Sequence, residues 1–277
     1  MDKSTPSSPL SVPPETLTFY RRTMTVLREN DVPFLVGGAY AYAVYTGIVR
    51  HTKDFDLFLR EEDVDRAIEA LRGAGYKVDK AFAHWLAKAY EGDDAVDLIY
   101  RSGNGICIVD DAWFERAVPS QVLDMDAHLC SPEEIIWSKA FIMERERFDG
   151  ADVIHILLKS ADRIDWDYLV ERFGPHWRIL LTHLVLFGFV YPSRRSLIPE
   201  EIMAALIGRL KEEVETTAPT DPVCYGTLLS RAQYLTDVEE EGFTDARLLP
   251  PSNLTARELV GWTEAIKVDG PEADRES

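Results

Sequence analysis

The chain has 277 residues, 46% hydrophobic and 28% charged, enough to bury a core in one large domain or two small ones. Its formal charge is −18, divided evenly between residues 1–150 and 151–277, so the acidity is spread rather than gathered in a tail. Such a surface repels nucleic-acid backbones unless a local basic patch overrides it, and no run of eighteen apolar residues marks a membrane span.

Residues 1–14 carry Ser and Pro without the apolar stretch of a signal peptide and read as a disordered lead-in. From residue 15 to 30, Leu17, Tyr20, Met24 and Leu27 fall on one helical face. Phe34-Leu35-Val36 reads as a short buried strand that ends at Gly37-Gly38. Residues 39–45 suit a packed helix closed by Gly47, and residues 55–59 a second strand. Val64, Ala67, Ile68 and Leu71 mark another amphipathic helix, closed by Gly73. Residues 76–79, 84–90 and 95–100 read as strands separated by Gly and Asp turns. The order predicts an α+β fold, a mixed sheet flanked by helices.

Ser131-Pro132-Glu133-Glu134 reads as a helix start in which Ser caps, Pro takes the first turn and Glu134 completes a capping box. That helix is expected to run to about Arg147. Helical patterning then continues over residues 151–159, 165–173, 176–189, 199–214 and 230–240. These signals divide the chain into an α/β domain at 15–130, a helical C-terminal region at 131–265 and an acidic tail at 266–277. Three isolated cysteines, Cys107, Cys130 and Cys224, form no CxxC pair, which argues against structural zinc and suits a reducing cytoplasm.

Asp54-Phe55-Asp56 carries the chemistry. Strand side chains alternate, so both carboxylates share one face while Phe55 enters the core. Paired carboxylates repel unless a cation sits between them, and hard carboxylate oxygens suit Mg²⁺. Gly37-Gly38, between strand and helix, allows close backbone approach to phosphate at a helix N-terminus. Asp97 lies inside an apolar strand and needs a partner, which a metal would supply; it fits either a metal ligand or the base for an acceptor hydroxyl. Plainer roles stay open: Asp54 and Asp56 as a solvated strand end, Lys139 as a surface lysine, Asp152 as a helix-start acid.

Val36-Gly37-Gly38, fifteen intervening residues, Asp54-Phe55-Asp56 and a distal Asp97 together resemble the nucleotidyltransferase superfamily. Arg50-His51-Thr52-Lys53 before the triplet is similar to the antibiotic-modifying members, and residues 139–158 are similar to the toxin- and antitoxin-linked branch. The resemblance covers roughly residues 33–160. It implies a nucleotidyltransferase-type fold and transfer of a nucleoside monophosphate from an NTP, ATP first, to a hydroxyl, with release of pyrophosphate. It implies that Asp54, Asp56 and Asp97 are catalytic and hold Mg²⁺. It implies that Gly37, Gly38, Lys53 and Lys139 contact the nucleotide, and that Asp152 supports the site. Many members carry Ser where this chain has Gly38. The acidic surface slightly favours a small-molecule acceptor over a nucleic acid. The alternative is a non-catalytic NTP-binding or protein-interaction module on the same fold, sensor-like or antitoxin-like.

Overall fold

A computed structural model of the chain describes residues 12–50, 52 and 54–269. Helix α1 (Pro14–Glu29) has Pro in its first turn, Glu15 near its N-terminus and Arg28 near its C-terminus, matching the helix dipole. It buries Phe19, Tyr20, Met24 and Leu27. Strand β1 (Leu35–Val36) leads into α2 (Gly38–Thr46), which stops at Gly47 in the left-handed region, φ +72°. Next come β2 (Asp54–Phe58), α3 (Val64–Gly73), β3 (Lys77–Phe82), β4 (Leu86–Glu91) and β5 (Asp94–Ile99).

A further segment, featureless in sequence, completes the sheet. It contains α4 (Asp111–Glu115), β6 (Val118–Val122) and β7 (Met125–Leu129). The hairpin turn between β6 and β7 is Leu123-Asp124, both with positive φ (54° and 61°). That is the backbone of a tight hairpin turn without its usual Asn-Gly signal. Pro119 lies in β6, the edge strand, where a missing N–H is tolerated. The seven strands run in the order β3-β4-β5-β2-β1-β7-β6. β2 is parallel to β5 and antiparallel to β1, and β1 is parallel to β7. The sheet is therefore mixed, as the sequence predicts, with β2 and β5 near its centre.

The rest of the chain is mostly helical: α5 (Pro132–Ala140), α6 (Gly150–Ser160), α7 (Trp166–Phe173), α8 (Trp177–Val190) and α9 (Glu200–Glu215). A small parallel pair, β8 (Val223–Cys224) and β9 (Thr244–Asp245), brackets α10 (Leu235–Glu239), and α11 (Ala256–Asp269) follows. Buried residues form one continuous cluster across residue 130, from Phe19 and Leu71 through Ile136 and Ile156 to Leu206. Residues 1–11 and 270–277, which hold most of the expected lead-in and acidic tail, lie outside the described residues.

Two local expectations are corrected. Helix α5 ends at Ala140 rather than near Arg147. Residues 142–149 turn back on themselves, with Asp149 N–H donating to Ile142 O (3.1 Å) and Glu144 N–H to Arg147 O (2.8 Å). The Glu144 carboxylate accepts from the Arg231 amide (2.9 Å), which ties this turn to the C-terminal segment. Ser131 does cap α5, accepting from the Glu134 amide (3.4 Å). The Glu134 side chain does not close a capping box. It is fully buried and accepts from Arg172 Nε (3.0 Å) and from the Tyr168 hydroxyl.

Candidate active site

The site starts where β1 hands over to α2. The Gly37 amide donates to the Asp56 carbonyl (3.0 Å), so the turn is stitched to β2. Any side chain at Gly37 would run into the Phe58 ring, with Cβ 2.2 Å from it. Gly38 has φ +52°, and a Cβ there would fall 1.6 Å from Asp56 Oδ2. Backbone conformation and space both demand glycine. This is the physical reason for glycine at position 38. It also sets the Asp56 carboxylate at the N-terminus of α2, where the helix dipole favours negative charge.

Asp54 and Asp56 alternate with the buried Phe55 and Leu57, so the two acids share the half-buried face of β2. The parallel register of β2 and β5 makes Asp56 and Asp97 direct neighbours. Burial and then the repulsion of Asp97 push the Asp56 carboxyl up to about 6, against the pull of Lys139. Burial also raises Asp97, opposed by Lys88. Asp97 is paired with Lys88. The Lys88 ammonium lies 2.9 Å from Asp97 Oδ1 and 3.7 Å from Asp54 Oδ1. Burial alone would pull Lys88 down, but the bond to Asp97 outweighs it and the ammonium is held charged.

A second charged group closes the site from the helical side. Lys139, in the last turn of α5, pairs with Asp149 (2.9 Å) and Asp152 (2.8 Å). Arg147 donates twice to Asp149, at 2.8 Å each, and Arg50 pairs with Asp152. Arg50 also lies over the Tyr42 ring (4.7 Å), whose hydroxyl is bonded to His155 Nδ1 (2.9 Å). Burial opposes ionisation of Asp149, yet the bonds from Arg147 and Lys139 win and hold it below the usual carboxylate range. Lys139 and Arg147 both act on the charge of Asp56, so this cluster and the triplet form one electrostatic unit.

The structure thus brings Gly37, Gly38, Asp54, Asp56 and Asp97 together, with Lys139 and Asp152 beside them. Lys53 and His51 lie outside the described residues. Thr52 accepts from the Asp54 amide (3.3 Å) and donates to its carbonyl (2.9 Å), bracing the head of β2. Sequence reasoning missed Lys88, Arg147 and Asp149. Lys88 was detectable by the argument used for Asp97: a charge in the apolar run Leu86-Ala87-Lys88-Ala89 needs a partner. Arg147 and Asp149 gave no such signal, because their place depends on the turn that ends α5.

Among the described residues, no three His, Cys, Asp or Glu side chains converge on a single metal-sized point. The donor chemistry nonetheless fits a divalent cation. The oxygens are hard, the two β2 acids face the same way, and Asp56 has no cation within ion-pair distance among the described residues. Asp97 is paired with the Lys88 ammonium.

The family described as an uncharacterised nucleotidyltransferase matches residues 17–177, which span both charged groups. The chain belongs to this nucleotidyltransferase family. No curated protein matches it in sequence. Solved structures resemble it remotely. The antibiotic-resistance factor ANT(2'')-Ia is 15% identical, covering 73% of this chain and 96% of its own, with a TM-score of 0.36. The lincosamide antibiotic adenylyltransferase LnuA, solved with lincomycin, is 14% identical over 52% of this chain and 96% of its own, with a TM-score of 0.37. An antigenic nucleotidyltransferase-like protein from Paracoccidioides brasiliensis is 16% identical over 66% and 91%, with a TM-score of 0.42.

Proposed function

We propose that this nucleotidyltransferase moves a nucleoside monophosphate from an NTP, ATP first, to a hydroxyl group, and that Asp54, Asp56 and Asp97 carry the reaction. One observation carries the reading: Asp56 and Asp97 are register neighbours on parallel strands, and Asp56 lies against Gly38 at the N-terminus of α2. Backbone amides at that turn suit the triphosphate. Lys139 and Arg147 supply positive charge that acts on Asp56. The acceptor oxygen bonds to the α-phosphorus, the bond to the bridging oxygen breaks, and pyrophosphate leaves with the electron pair. Asp97, on the strand beside the two β2 acids, takes the hydroxyl proton. Asp54 and Asp56, with Asp97, would hold Mg²⁺, which neutralises phosphate charge when bound.

The acceptor is a small molecule in this reading. A net charge of −18 disfavours a polyanionic strand and suits a neutral or cationic compound. The test is incubation with labelled ATP, Mg²⁺ and acceptor fractions separated by size, following both label transfer and pyrophosphate. Transfer to a small-molecule fraction, lost in Asp54→Asn, supports the reading. Nucleotide binding without pyrophosphate release would leave a binding module. An unchanged rate in Asp54→Asn would remove the assignment of the triplet.

A further inference from the structure

Three cations approach the site from the helical side, and all three are committed. Lys139, Arg147 and Arg50 are bound to Asp149 and Asp152. Lys88 differs. It comes from the sheet, on β4, and among the described residues it is the cation within ion-pair distance of the β2 and β5 acids. Antiparallel pairing places Lys88 directly across from Asp97, and parallel pairing places Asp97 directly beside Asp56. Lys88, Asp97 and Asp56 therefore form a row across three adjacent strands, and the Lys88 ammonium reaches on to Asp54. The Lys88 side chain is 25% exposed and that of Asp97 12%, so the pair is screened far less than a surface salt bridge.

An ammonium on a tether and a divalent cation compete for the same carboxylate oxygens. Both cannot bind Asp97 Oδ1 at ion-pair distance, since like charges that close repel strongly in a partly buried site. We propose that Lys88 is a positioning residue, a tethered cation that holds Asp97 and Asp54 in place while no divalent cation is bound and yields these oxygens when one arrives. The inference rests on the metal reading of the three acids. Its consequence is an ordered site. Free divalent cation binds weakly, because it must displace Lys88. Cation and triphosphate together bind well, because phosphate oxygens add ligands and give the displaced ammonium a new partner. Metal loading is thereby coupled to the arrival of nucleotide.

The experiment titrates Mn²⁺ against the nucleotide-free chain and reads free Mn²⁺ by electron paramagnetic resonance, for wild type, Lys88→Met and Lys88→Arg. Removing a unit charge a few ångströms from the ion should tighten Mn²⁺ binding roughly tenfold or more in Lys88→Met. Lys88→Arg, which keeps the charge, should stay within about threefold of wild type by the same reasoning. Equal affinity in Lys88→Met and wild type overturns the proposal. The same titration with ATP, read against ATP alone at the same concentration because ATP itself chelates Mn²⁺, separates this from failure of the metal reading. If neither protein takes up Mn²⁺ beyond what ATP alone binds, the three acids are no metal site and both fall. Should Lys88→Met not fold, the wild-type chain still decides. Acetylation of Lys88, followed by mass spectrometry, should quicken at saturating Mg²⁺ as the ammonium leaves Asp97. An unchanged rate overturns the proposal.

Discussion

A β-carbon on Gly38 would lie 1.6 Å from the Asp56 carboxylate. The first residue of α2 and the second acid of β2 are thus mutually dependent. Asp56 can occupy the helix N-terminus only because position 38 has no side chain, and the positive φ of Gly38 (+52°) makes the turn that allows it.

Gly38→Ser is expected to lose nucleotide binding, although Ser is common at this place in the superfamily. The left-handed backbone alone should cost about 1–2 kcal/mol for a non-glycine residue, and Asp56 must also move. The check is thermal melting with and without Mg²⁺-ATP. A Gly38→Ser chain with wild-type stability and an undiminished nucleotide shift would contradict the geometry.

Asp56 gives a pH signature to the metal-free protein. Its folded-state value, about 6, lies above the ordinary carboxylate value of 3.8, because burial and then Asp97 disfavour the charge. A carboxyl raised in this way opposes folding only when ionised. Its stability is fully present below the unfolded value and is lost as pH rises through the folded one. In EDTA, wild type should therefore lose stability relative to Asp56→Asn between about pH 4 and 6. The difference should level off at roughly 1–3 kcal/mol in favour of the variant, discounted for partial exposure. Denaturant melts at four pH values measure it; parallel curves would show that Asp56 is not strained by its neighbours.

Lys139 is both structural and, in the proposed reading, a nucleotide contact. Lys139→Met leaves Asp149 and Asp152 each with an arginine but without the ammonium between them. The cost should be roughly 1–3 kcal/mol, less than for a carboxylate stripped of every partner. A second change, Asp149→Asn, should recover part of that stability. If Lys139 also meets phosphate, the apparent KM for NTP should rise roughly tenfold in both variants. A KM that recovers along with stability would confine Lys139 to a structural role.

Removal of metal should abolish nucleotide stabilisation. ATP at a hundredfold excess over its dissociation constant should add about 2.7 kcal/mol with Mg²⁺ present. The shift should vanish in EDTA and in Asp54→Asn/Asp56→Asn. A shift that survives chelation would show nucleotide held by backbone and cations alone, with the acids serving another purpose.

Much of the α/β half was legible because its signals are local. The Tyr20, Met24 and Leu27 spacing marks α1, and alternation of acid and apolar residues marks β2. Gly47 and Gly73 stand at the ends of α2 and α3. β6 and β7 were invisible for equally physical reasons. Val118-Pro119-Ser120-Gln121-Val122 carries a proline and few strand formers, and the Leu123-Asp124 turn lacks glycine. The sheet imposes those strands through pairing with β1. Helix α5 stops short because Glu144 finds partners in Ser230 and Arg231, residues far along the chain.

The sequence by itself determined which chemistry the site can attempt. A glycine pair after a strand, two acids with period-two spacing and a lone acid in an apolar strand are each written in a few neighbouring residues. Only the tertiary structure decided how those charges are balanced. Lys88 against Asp97, and Lys139 between Asp149 and Asp152, depend on strand register and on the turn after α5. Coulombic energy depends on distance through space, and sequence separation does not reveal that distance until the chain has folded.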